Sequence, residues 1–202
     1  MFDLIARGGR KFVGVSAIAS AASLPFFVPL SAALICLTVF FAAVFRDPPR
    51  KIGHGIVSPA DGTVREVDPE KGLVSIYLAL RNVHVTRAPF DATVVKAVRV
   101  RGKHKPAFSK STPSNERVEI DLQTPIGDMS IVQMTGAIAR RIVPYIKDGQ
   151  RLSKGAKLSL IRFGSRVDIS MPPDQVQILV ARGQRLYAGK TCIAEVRDGA
   201  MD

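Results

Sequence analysis

The chain has 202 residues, 47% of them hydrophobic, and a formal net charge of +12, which is one domain's length with enough apolar material for a core that needs no disulfide staples. Two cysteines and 6% aromatic residues exclude a disulfide framework, and no stacking motif interleaves the basic residues as in a single-strand nucleic-acid binder. The charge calls instead for an anionic surface. A membrane serves best, since each Lys or Arg near it contributes about 1 kcal/mol; a solvated basic face kept for solubility is the plainer alternative.

Residues 12–45, between Lys11 and Arg46, include no charged side chain. One membrane span needs roughly 20 residues and two need roughly 40, so this run falls between. Pro25 and Pro29 break it near its middle. Arg7, Arg10 and Lys11 precede it and Arg46, Arg50 and Lys51 follow, which favours both ends on the cytoplasmic side. A shallow helical hairpin in one leaflet satisfies length, prolines and flanks together; one long tilted span is the alternative. A cleaved signal peptide fits less well, because the apolar part is too long and no clear small-residue site follows it. Residues 1–50 are therefore read as an apolar helical membrane segment with basic flanks, at the cytoplasmic face of the cell (inner) membrane.

After Pro48-Pro49 the chain changes to short β-prone runs separated by glycine. Val57 and residues 64–67, 73–80, 92–100, 118–122, 129–134, 142–145, 157–162, 167–170, 177–180 and 192–196 read as strands. Helical periodicity is poor throughout. Gly149-Gln-Arg-Leu-Ser-Lys-Gly155 and Gly183-Gln-Arg-Leu-Tyr-Ala-Gly189 repeat one pattern; two copies make no solenoid. They predict two hairpins in a mainly β, compact barrel-like sandwich of lipoyl or biotinyl type over 51–202. Residues 103–115, rich in Lys, Ser and Pro, read as a loop over a site.

Near the C-terminus stands the bond Gly164-Ser165, behind the turns Asp148-Gly149-Gln150 and Lys154-Gly155. Most Gly-Ser pairs are simply turns. In a strained turn such a bond can cut itself: the hydroxyl attacks the preceding carbonyl and gives an ester by an N→O acyl shift. β-Elimination then leaves dehydroalanine, which hydrolyses to a pyruvoyl group. Glycine suits the position before the cut because it lacks a Cβ.

Four segments precede this bond in order: Phe45-Arg-Asp-Pro-Pro-Arg50, Ser58-Pro-Ala-Asp-Gly-Thr-Val64, Asn82-Val-His-Val-Thr-Arg-Ala-Pro89 and Asn115-Glu-Arg117. Together with Gly164-Ser165 they resemble the short bacterial type of phosphatidylserine decarboxylase proenzyme, from about residue 45 to the end. The resemblance implies a self-processing enzyme that converts phosphatidylserine to phosphatidylethanolamine and CO2. It implies cleavage into a β chain, 1–164, and an α chain, 165–202, with Ser165 becoming the pyruvoyl group. That group would form a Schiff base with the substrate amine and supply the electron sink that decarboxylation needs. No other organic cofactor has a phosphate-binding motif here, and the histidines and cysteines (Cys36, Cys192) form no metal motif.

By the same resemblance Asp61 supports self-cleavage by orienting a base near Ser165; read locally, it caps its own β-turn. His84 is the candidate for acid and base work in decarboxylation, its proton affinity suiting neutral pH, although a histidine between valines is commonly a core residue. Longer family members carry a second histidine where Arg87 stands, and arginine cannot act as a base. Either His84 takes both duties, the bond cleaves with less help, or Arg87 binds the substrate's carboxylate or phosphate. Glu116 and Arg117 would order the loop or hold a head group; their local reading is an exposed ion pair. Phe163 would wall the site against water. His54 and His104 read as bystanders.

Two other readings stand beside this one. A non-catalytic, membrane-attached lipid-binding or adaptor module would keep the hairpins and the apolar segment but has no need of Gly164-Ser165, Asp61 and His84 together. An enzyme for a serine-headed ether lipid would differ only in its substrate's tails. A homo-oligomer is left open.

Overall fold

The computed structural model describes residues 4–102, 115–136, 141–162 and 165–197. The chain divides into two units, Met1–Pro49 and Arg50–Asp202. In the first, α1 (Arg10–Ser23) and α2 (Val28–Val44) are separated by a turn at Leu24-Pro25-Phe26-Phe27, and Pro29 sits in the first turn of α2, where its missing N–H costs nothing. The two helices clasp each other through reciprocal bonds: Ser31 Oγ donates to Ser20 O at 2.8 Å and Ser20 Oγ to Ser31 O at 3.3 Å. At the other end Phe12 stacks on Phe45, with centroids 5.5 Å apart. Gly9 is required there, since a Cβ would lie 2.3 Å from Phe45 Cβ.

The alternative of one long tilted span is therefore set aside: two helices form, and the chain turns back on itself between them. No helix among the described residues is long and apolar enough to cross a membrane. The 17 residues of α2 reach only about 26 Å at 1.5 Å per residue, short of the bilayer core.

The second unit is built of strands: β1 (Ile56–Val57), β2 (Gly62–Asp68), β3 (Leu73–Leu78), β4 (Val85–Arg87), β5 (Ala92–Val100), β6 (Arg117–Thr124), β7 (Gly127–Thr135), β8 (Ile142–Pro144), β9 (Arg151–Leu152), β10 (Lys157–Ile161), β11 (Ser165–Ser170), β12 (Val176–Ile178), β13 (Arg185–Leu186) and β14 (Cys192–Val196). An eight-stranded sheet runs β13-β2-β3-β11-β7-β6-β5-β9, and two three-stranded sheets run β4-β10-β8 and β1-β14-β12. The mainly β expectation holds. The barrel-like one does not: β13 and β9 form the two edges of the large sheet, so it stays open. Alternation in β11 and β6 buries Val167, Ile169, Ile120 and Leu122 on one face, which packs with Ile76, Ile131 and Leu158 as the core.

Two features position the site. First, the β4-β10-β8 sheet prolongs the middle of the large sheet. The chain runs from β3 into β4, from β7 into β8 and from β10 into β11, and the strand order is the same on both sides of the passage. Ile161 pairs with Ile142, and Ser165 pairs with Leu78 and Thr135. One three-stranded ribbon is thus interrupted along a single line, and its central strand crosses that line between the end of β10 at Ile161 and the start of β11 at Ser165.

Second, the two hairpins obey a quasi-twofold relation. Val64 N–H donates to Gln184 O and Val94 N–H to Gln150 O, both at 2.9 Å. Gly183 N–H donates to Val64 O and Gly149 N–H to Val94 O, both at 2.8 Å. Gly189 and Gly155 hold φ of +71° and +83°, a left-handed conformation that glycine adopts without strain. The relation extends beyond the repeat seen in the sequence to Pro59-Ala-Asp-Gly-Thr-Val64 and Pro89-Phe-Asp-Ala-Thr-Val94.

Candidate active site

Ser165 opens β11 at the line where the ribbon is interrupted, and it is fully buried. Its Oγ has no hydrogen-bond partner among the described residues. Leaving a buried hydroxyl unpaired costs about 1–3 kcal/mol, and such exceptions call for an explanation. Thr135, opposite Ser165 on β7, spends its own N–H on Glu116 O at 2.9 Å. Its backbone polar groups therefore face β6, and the Ser165–Thr135 pair has the closer side-chain approach of a non-hydrogen-bonded pair. Thr135 Oγ1 donates to Glu116 O at 3.0 Å, and Asn115 Nδ2 to Thr135 O at 2.7 Å.

His84 lies across the same line. Its carbonyl accepts Ile161 N–H at 3.0 Å, just ahead of the crossing whose far end is Ser165. Its Nδ1 lies 2.8 Å from Asn82 O, a carbonyl that can only accept. In the neutral ring this places the proton on Nδ1 and leaves Nε2 as the basic nitrogen. Asn82 is itself fixed, accepting Ala79 N–H on Oδ1 at 2.8 Å.

Sequence reasoning missed a polar trio on this line. Thr86, Gln133 and Ser159 are each fully buried. Ser159 Oγ donates to Gln133 Oε1 at 2.6 Å, Gln133 Nε2 to Thr86 Oγ1 at 3.0 Å, and Thr86 Oγ1 lies 2.8 Å from Ser159 Oγ. Three polar residues scattered over 73 positions give no local signal.

Asp61 stands at the same end of the large sheet. Gly62 follows it, and the register that pairs Thr63 with Tyr77 and Leu78 with Ser165 puts Gly62 and Ser165 in one row, two strand spacings or roughly 10 Å apart. Gly62 is required, because a Cβ would lie 2.4 Å from Tyr77 O. Asp61 accepts from Arg50 Nη2 at 2.9 and 3.2 Å and from Ala188 N–H at 2.7 Å. Arg50 also lies over the Tyr187 ring, 5.9 Å from its centroid. Both carboxylate oxygens are thus engaged, and Asp61 makes no hydrogen bond to Ser165 or His84 among the described residues.

Arg87 turns away from His84, since strand alternation puts it opposite Thr86. It is buried and donates to Gly155 O at 3.1 Å. Glu116 accepts two bonds from Arg99, at 2.9 and 2.6 Å, and Arg117 pairs with Glu119. Phe163 and Gly164, and residues 103–114 of the expected loop with His104, lie outside the described residues. Beside the crossing, Arg162 N–H donates to Arg141 O at 3.2 Å. Burial first, and then the Arg141 charge, push the Arg162 guanidinium below its ordinary pKa.

The ligating atoms of His54, Cys192 and Glu195 lie within 4.8 Å of one another, a metal-compatible cluster that the chain spacing did not announce. Burial and the Glu195 carboxylate push the Cys192 thiol up. Cys192 and Glu195 belong to β14, in the β1-β14-β12 sheet.

Ser165 thus lies buried at the head of β11, with His84 across the line and Asp61 at the same end of the large sheet. The model of the phosphatidylserine decarboxylase family matches residues 37–194. The chain belongs to this family. A phosphatidylserine decarboxylase proenzyme of Streptomyces avermitilis is 41% identical over 190 residues, 92% of this chain and 80% of its own. One of Streptomyces coelicolor is 46% identical over 153 residues, 74% of this chain and 70% of its own. A Methanosarcina acetivorans protein provisionally named as an archaetidylserine decarboxylase proenzyme is 37% identical over 207 residues, 96% of this chain and 98% of its own. As a member of the phosphatidylserine decarboxylase family the chain is a decarboxylase.

Proposed function

We propose that the chain cuts itself between Gly164 and Ser165 and then decarboxylates phosphatidylserine at the surface of an anionic membrane. The observation that carries this is the buried Ser165 Oγ with no hydrogen-bond partner among the described residues, a hydroxyl free to attack the preceding carbonyl. Ser165 Oγ attacks the Gly164 carbonyl carbon. The C–N bond breaks, a C–O bond forms, and the hydroxyl proton passes to the new amine. Loss of the Ser165 α-proton expels the Gly164 carboxylate as the new end of the β chain, and hydrolysis then releases ammonia.

His84 is the base in this reading, because Nε2 is its basic nitrogen and it flanks the crossing. Asp61, paired with Arg50, holds the turn at the head of the row instead of touching the hydroxyl. The pyruvoyl carbonyl so formed supplies the electron sink for loss of CO2. His84 then returns a proton to the substrate carbon. Phe163 excludes water, and Glu116, tied to Arg99, steadies the strand entry beside Thr135. Arg87 acts through the Gly155 hairpin, and Arg117 remains a head-group candidate on the opposite face of β6.

The apolar hairpin supports membrane attachment. Phe26 and Phe27 at its tip are 88% and 59% exposed, and Val15, Ile18, Val39 and Phe40 along its sides are also exposed. A hairpin too short to span, with basic residues at its mouth, lies in one leaflet on the cytoplasmic side.

The test is labelled CO2 release from serine-carboxyl-labelled phosphatidylserine and, in parallel, from the serine-headed ether lipid that the Methanosarcina relative's name suggests. Release that a carbonyl reagent such as phenylhydrazine abolishes supports the reading. No release from either lipid by cleaved protein overturns it.

A further inference from the structure

We propose that the Thr86–Gln133–Ser159 trio is a positioning device for the self-cleavage described above, on which this inference rests. Its protons can be counted. Ser159 has one hydroxyl hydrogen and spends it on Gln133 Oε1, so in the Thr86–Ser159 contact Thr86 must donate. Gln133 Nε2 donates to Thr86. The bonds close into a ring in which every member both gives and accepts, and each polarises the next. Reversing the Gln133 amide reverses the ring without opening it.

The ring joins two sheets. Gln133 belongs to β7 in the large sheet, while Thr86 and Ser159 belong to β4 and β10 in the small one. It also shares a face with the reacting groups. Gln133 and Thr135 are two residues apart on β7, and Thr135 pairs with Ser165. Thr86 follows His84 by two residues, and Ser159 precedes the Ile161 whose N–H His84 holds. The ring therefore ties together the two halves of the ribbon on the side where Ser165 is buried.

An apolar trio of equal volume would hold the sheets together about as well, because replacing a fully paired polar set by apolar groups is often nearly neutral. What hydrogen bonds add is direction. Attack by Ser165 Oγ needs a fixed approach to the preceding carbonyl, and an error of about 1 Å costs on the order of 100-fold in rate. The ring fixes the angle between the ribbon halves and thereby that approach.

The experiment compares maturation of the wild-type chain with Thr86→Val, Gln133→Met and the conservative Thr86→Ser, following cleavage by mass with and without hydroxylamine. Thermal melting of each substitution is measured in the uncut Ser165→Ala background. The expected result is that Thr86→Val and Gln133→Met stay folded yet mature about 100-fold more slowly, and that Thr86→Ser restores the rate. Hydroxylamine, which cuts the ester, should release no extra α chain from the slow variants, since the acyl shift is the step they lose. Should Gln133→Met not fold, Ser159→Ala replaces it in the same comparison. Folded Thr86→Val and Gln133→Met chains that mature at the wild-type rate, or that hydroxylamine rescues, overturn the proposal. A wild-type chain that never cuts sinks the self-cleavage reading itself.

Discussion

Asp61 and Asp91 occupy the same place in two copies of one structural unit. Asp61 accepts the N–H of Ala188 and Asp91 that of Lys154, each at 2.7 Å, and the acceptors lie 30 residues apart while the donors lie 34 apart. The carboxylate-to-hairpin clasp is thus part of the fold's quasi-symmetry and says nothing about catalysis. What distinguishes Asp61 is its own burial and its partly buried ion pair with Arg50; Asp91 is exposed.

The two aspartates should therefore respond differently. Asn at either position keeps an oxygen for the backbone N–H. Asp91→Asn should change stability by less than about 1 kcal/mol and leave cleavage untouched. Asp61→Asn breaks a partly buried ion pair and should cost about 1–3 kcal/mol, with slowed cleavage. Urea melts and cleavage time courses of both variants check this; equal behaviour would remove the special role of Arg50–Asp61.

His84 can be assigned by separating two rates. His84→Gln removes the basic Nε2, and cleavage should slow by about 100-fold or more. If the variant matures normally but is inactive on lipid, His84 serves decarboxylation alone, and the base for self-cleavage must be sought elsewhere.

Membrane attachment should depend on the hairpin tip. Replacing both Phe26 and Phe27 by Asp removes about 1.5–3 kcal/mol of apolar transfer for each ring. Vesicle flotation should then fail, while turnover of a short-chain, dispersed substrate persists. Unchanged flotation would place the attachment elsewhere.

Much of the fold was legible because strands of this chain alternate cleanly: β6 and β11 each present every second residue to the core. The repeated Gly-Gln-Arg-Leu pattern announced both hairpins. Barrel closure was not legible, since edges are set by pairing between strands distant in sequence, and β9 and β13 are only two residues long. At the site, Ser165, His84 and Asp61 stood out through their motifs. Arg50 did not, because nothing local marks an arginine after two prolines as the partner of an aspartate 11 positions on. Thr86, Gln133 and Ser159 look like ordinary strand polar residues until three strands bring them together.

The most direct test of the central claim is the intact mass of the protein and of Ser165→Ala under denaturing, reducing conditions. Self-processing predicts two wild-type chains split after Gly164, the α chain lighter than its serine-started peptide by one ammonia, and one uncut chain for Ser165→Ala. A single wild-type chain of 21.8 kDa after long incubation with detergent and lipid would contradict the account.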